Sequence, residues 1–146
     1  DSYVFCDIDG DAYPECIATN GTLSYVLTYR EGKSVESNYI ATYYPFYVPG
    51  KNVFCKYSEI INGSEVKIRE DRYFYEINDN GSLQIIGSST GYFANSIRYN
   101  TQSRSDTSKA IYDEYNDSFG DLVEISIEYE DTYRSIDAAC DAYLSN

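Results

Sequence analysis

Four carboxylates fall within nine residues in the segment Asp7-Ile8-Asp9-Gly10-Asp11-Ala12-Tyr13-Pro14-Glu15. In the numbering of a calcium loop they take positions 1, 3, 5 and 9, and Tyr13 takes position 7, which contributes a backbone carbonyl. Alternate residues of a tightly curled loop turn their oxygens toward one centre. A hard cation such as Ca²⁺ takes about six to eight such oxygens. The expected metal ligands are therefore Asp7, Asp9, Asp11, Tyr13 and Glu15, with calcium as the cofactor. Two positions depart from the EF-hand pattern: Ala12 stands where the turn favours glycine, and Ala18 stands where the bidentate Glu would be. The bland counterpart of this reading is an acidic, solvated β-turn.

Cys6 and Cys16 flank that loop, and Cys55 and Cys140 lie far along the chain. An even set without CxxC spacing, in a chain with no histidine, points to disulfides rather than zinc. Three pairings exist and the pattern does not choose between them. Cys6 with Cys16 and Cys55 with Cys140 is the preferred one, the first clamping the base of the loop. The aromatic knot Tyr43-Tyr44-Pro45-Phe46-Tyr47 offers Tyr43, Tyr44, Phe46 and Tyr47 as a stacking platform for sugar rings or a subunit contact, against ordinary packing. Glu124 and Glu128 are a carboxylate pair of the kind glycosidases use, but a solvated strand face carries the same pattern. No serine has a recognisable base, so the chain is not expected to be an enzyme.

These residues need strands to hold them. Ser2–Cys6 and Glu15–Thr19 read as strands on either side of the Asp loop, and Leu23–Tyr29, Ser34–Tyr44 and Asn52–Ile60 continue the series. Asn20-Gly21, Asn62-Gly63 and Asn80-Gly81 are hairpin signals, with Glu65–Arg69, Arg72–Ile77 and Ser82–Ile86 as the strands they join. Asn20, Asn62, Asn80 and Asn116 also begin Asn-x-Ser/Thr sequons, for which the turn reading is preferred. Residues 87–108 read as irregular, with one strand near Tyr92–Tyr99. Asp106-Thr107-Ser108 caps a short helix over Lys109–Tyr115. A strand over Leu122–Tyr129, with Val123, Ile125, Ile127 and Tyr129 inward, and a helix over Ser135–Leu144 complete the chain. The expected fold class is α+β, mostly β: an antiparallel meander with one or two helices toward the C-terminus.

Residues 1–146 suit one domain. The net charge of −13 disfavours nucleic acid and anionic lipid, and favours cations, basic partners or neutral ligands. No apolar run approaches membrane-spanning length, so direct membrane insertion is not expected. Starting at Asp1, the chain reads as a mature or trimmed ectodomain, extracellular or anchored at the cell surface. Eighteen tyrosines suit half-buried sheet surfaces and interfaces.

The segment from Tyr3 to Ile17 resembles a pattern found in uncharacterised secreted proteins and lipoproteins of gut Firmicutes. There an aromatic-apolar strand leads into Asp-Ile-Asp-Gly-Asp-Gly-x-Pro-Glu-Leu, followed by a Tyr-x-Tyr-x-x-Gly-Lys hairpin comparable with Leu27–Lys33. The loop is also similar to the calcium loops of FG-GAP and VCBS repeats. This resemblance implies a location and a loop rather than an activity. The expected function is thus a secreted or cell-surface structural or binding domain with a calcium-type Asp loop. The alternatives are a carbohydrate-binding module using exposed tyrosines and a subunit of an extracellular assembly. The expected partners are a carbohydrate or protein at the cell surface, or a second copy of the chain.

Overall fold

The computed structural model describes residues 2–19, 24–30, 33–36, 44–79, 82–125, 141, 144 and 145. A four-stranded antiparallel sheet contains β1 (Ser2–Cys6), β2 (Glu15–Thr19), β3 (Ser24–Arg30) and β4 (Lys33–Glu36), in chain order. The second sheet has seven strands in the order β10-β9-β8-β7-β6-β5-β11. They are β5 (Tyr44–Val48), β6 (Val53–Ile61), β7 (Lys67–Ile77), β8 (Leu83–Tyr92), β9 (Arg98–Thr101), β10 (Arg104–Thr107) and β11 (Val123–Glu124). A helix, α1 (Lys109–Asp117), precedes β11. The α+β, mostly β meander expected from sequence is the observed fold.

Side-chain alternation along the central strands builds two cores. Phe54 and Ile77 face the small sheet, where they pack with Ile8, Ile17, Val26 and Ile125. Cys55 and Phe74 face the other way and pack with Val48 and Val53 beneath Tyr115 and Phe119 at the α1 end. The large sheet is therefore the middle layer of three. Ser108 caps α1 as expected, its hydroxyl accepting from the Ile111 amide at 3.2 Å. Asn62 makes the expected hairpin, its side-chain oxygen accepting from the Ser64 and Val66 amides.

Three readings are corrected. The strands expected at Glu65–Arg69 and Arg72–Ile77 are one strand, β7, over Lys67–Ile77, with Glu65 in the Asn62 turn, because Glu70 and Asp71 each find cationic partners on their own face of the sheet. The stretch after Gly87 is regular: β8 continues to Tyr92, and β9 and β10 follow. Its small residues answer to packing, since a Cβ on Gly87 would lie 2.4 Å from Phe119 Cζ. Val123 is 44% exposed rather than inward, whereas Ile125 is buried. Ile127, Glu128, Tyr129 and most of the Ser135–Leu144 helix lie outside the described residues.

Candidate metal centre

Strands β1 and β2 pair from Ser2 opposite Thr19 to Cys6 opposite Glu15, so the Asp loop is the connection that closes this hairpin. Its curl comes from its own carboxylates. Asp7 Oδ1 accepts from the Gly10 amide at 2.8 Å, and Asp7 Oδ2 from the Ala12 amide at 3.2 Å. Asp9 Oδ1 accepts from the Asp11 amide and Asp11 Oδ1 from the Tyr13 amide. Gly10 and Ala12 both take left-handed backbone conformations, with φ of 78° and 70°. Ala12 thus makes the turn despite its Cβ, at a conformational cost of roughly 1 kcal/mol. Gly10 also sits against the β5–β6 turn of the other sheet, where a Cβ would lie 3.1 Å from Gly50 Cα.

Asp7, Asp9 and Glu15 converge, with one carboxylate oxygen from each within 4.8 Å of the others. Glu15 is fully buried, and its Oε2 accepts from the Ile8 amide at 2.8 Å. Holding three carboxylates this close, one of them buried, is unfavourable without a nearby positive charge. The donors are all oxygen, which fits a hard cation such as calcium and not a thiophilic one. Asp11 is exposed and outside the converging set, and Tyr13 is 59% exposed. Three of the five expected ligands therefore meet through their side chains.

The register departs from the expected Cys6–Cys16 disulfide. Cys6 lies opposite Glu15, and Cys16 lies opposite Phe5, so the two sulfurs project from opposite faces of the hairpin. Among the described residues no disulfide joins Cys6, Cys16 and Cys55 to one another, and Cys140 lies outside them. Burial, followed by the charge of Glu15, the neighbouring Cys16 and Asp7, pushes the Cys6 thiol up to about 12. Burial likewise raises Cys55 to about 12, against the lowering effects of Arg72 and a hydrogen bond from the Tyr73 backbone. Both stay protonated and unreactive at neutral pH. Of the aromatic knot, Phe46 and Tyr47 are half-buried on opposite faces of β5, one packed on each core. Tyr43 and the Tyr44 side chain lie outside the described residues.

Sequence reasoning did not single out a polar cluster between the large sheet and α1. Glu70 is 6% exposed and accepts from Lys67 Nζ at 2.7 Å, Arg72 Nη1 at 2.8 Å and the Tyr112 hydroxyl at 2.8 Å. Tyr57 joins through its hydroxyl, at 2.8 Å from Glu59 and 3.3 Å from Glu70. Burial opposes ionisation of Glu70, but these hydrogen bonds and the Arg72 charge outweigh it and bring the carboxyl down to about 2. Burial and the bond to Glu70 raise the Tyr112 hydroxyl, so it remains a donor. The signal for this cluster was the period-two placement of Glu70 and Arg72 on one strand face. Compared with known proteins, no family model, curated protein or solved structure matches the chain.

Proposed function

We propose that this chain is a secreted or cell-surface structural or binding domain, without catalytic activity, whose Asp7–Glu15 loop takes up calcium. The observation that carries the reading is the convergence of Asp7, Asp9 and Glu15 on one centre, with Glu15 buried. The left-handed turns at Gly10 and Ala12 support it, because they curl the loop as a cation-holding loop must curl. Bound calcium would neutralise the three carboxylates. Asp7 and Glu15 would meanwhile keep their bonds to the loop amides, which fix the carboxylate directions.

Thermal unfolding in EDTA and in millimolar calcium tests this. A site filled at about a hundredfold excess over its Kd stabilises by about 2.7 kcal/mol, which is several degrees in Tm for a domain of this size. Asp9→Asn should lose most of that gain. Ala12→Gly should unfold later than the parent even in EDTA, because glycine adopts the left-handed conformation without the Cβ penalty. Equal melting of the parent with and without calcium would reduce the loop to an acidic turn.

A further inference from the structure

The small sheet covers one end of the large sheet's second face, at Phe54 and Ile77; further along β6–β9 the same face reaches solvent at Tyr73, and its register gives it an ordered pattern. One row runs from Lys56 to Tyr73, and another runs Arg69, Tyr92, Arg98. Between them Asp71 lies beside Thr90, whose hydroxyl donates to Asp71 Oδ1 at 2.8 Å. Tyr92 has two guanidinium groups over its ring, Arg69 at 5.3 Å and Arg98 at 4.8 Å. Lys56 Nζ lies over the Tyr73 ring at 5.7 Å. The rings thus fix where the cationic heads stand. Arg69 is committed to Asp71 through both Nε and Nη2. Among the described residues, neither Lys56 nor Arg98 has a carboxylate partner, although acids outnumber bases 24 to 11 along the chain.

Two cations without a carboxylate partner among the described residues, on one sheet face of an acidic protein, call for an anionic partner. We propose that this face binds an acidic polysaccharide, a chain of sugars carrying widely spaced carboxylates. Lys56 and Arg98 take the carboxylates. Asp71 and Thr90 lie between them and accept sugar hydroxyls. Tyr73, 37% exposed, offers an amphipathic ring beside Lys56. Strand geometry separates the Lys56 and Arg98 backbones by about 20 Å, so the ligand must be extended and sparsely charged. A nucleic acid carries a charge every ~1.7 Å and would be repelled by the −13 chain. An acidic peptide would leave the hydroxyl-accepting centre of the face without a match. This inference gives the binding role proposed above a partner, and it does not depend on the metal loop, which lies in the other sheet.

Calorimetric titration with hyaluronate oligosaccharides at low ionic strength tests it, with dextran, polyglutamate and a DNA oligonucleotide as comparison ligands. Hyaluronate should bind, dextran should not, and added salt should weaken the binding. The variant carrying Lys56→Gln and Arg98→Gln should bind about tenfold more weakly, with an unchanged circular dichroism spectrum. No hyaluronate binding, or binding unaffected by the double substitution, overturns the proposal. Equal or tighter binding of polyglutamate or DNA overturns it in favour of an acidic peptide or nucleic acid. Calcium-dependent melting reads the metal loop separately, so either idea can fail while the other stands.

Discussion

Arg72→Met is expected to destabilise the domain by roughly 3–5 kcal/mol, because it removes one partner of a buried pair and leaves the other charged. Glu70 would keep Lys67, whose side chain is 39% exposed, and the Tyr112 hydroxyl. Arg72 also stands over the Tyr57 and Tyr112 rings, at 5.0 and 5.9 Å, so packing is lost along with charge. Urea unfolding at pH 7 reads the loss, and a change under about 0.5 kcal/mol would show that the cluster is not a buried pair in energetic terms. The same network predicts an acid limb. Glu70 titrates near 2 in the folded protein, against an ordinary value of 4.5. Its contribution is therefore fully present above about pH 4.5 and is lost as the pH falls toward 2, for a change of order 3 kcal/mol. Arg72→Met should lessen that slope, since only Lys67 and the Tyr112 hydroxyl then hold the carboxyl down, and Glu70→Gln should remove it.

Phe74→Ala is expected to cost about 3–5 kcal/mol. Phe74 is fully buried and stacks on Phe119 at 3.9 Å between centroids, with planes 10° apart. Tyr115 meets Phe119 edge-on at 5.3 Å, so Phe74 is the surface on which the end of α1 rests. Collapse around the cavity is limited, because Phe119 and Tyr115 already press on Gly87. The loss should therefore appear in the helix as well as in global stability. Hydrogen exchange at the α1 amides should speed up more than at those of β2 and β3. Uniform acceleration across both sheets would argue that α1 is not docked through this stack.

Strand positions followed closely from pattern where turn chemistry and β-branched or aromatic residues coincide. Ser2–Cys6 and Glu15–Thr19 are strands with those same limits. Reading failed where composition serves packing instead of propensity. Gly87-Ser88-Ser89-Thr90-Gly91 looks like a loop, yet it lies within a strand whose small residues admit Phe119, Tyr115 and Phe93. The acidic loop was legible from spacing alone, and Asp7, Asp9 and Glu15 do meet. The cysteine pairing was not legible, because one residue of register decides which face a side chain occupies. The run Lys67–Arg72 was legible only as pieces of two strands, and its partners on α1 and β6 are what turn half of it into a buried network.

Among the described strands every pairing but one joins neighbours along the chain. The exception is β11, which returns past α1 to lie beside β5, Val123 opposite Tyr47. In time, that difference sets an order. The β6–β7–β8 hairpins close short loops and can form early, whereas the β5–β11 contact must wait for a long loop whose closure entropy is repaid by only two residue pairs. Closure of the β5–β11 contact is therefore expected to come last, and a probe at Val123 should report slower kinetics than one at Tyr75. Until that step, β5 is an open edge on which another chain can pair, which makes the interval before sealing the period of greatest exposure to aggregation.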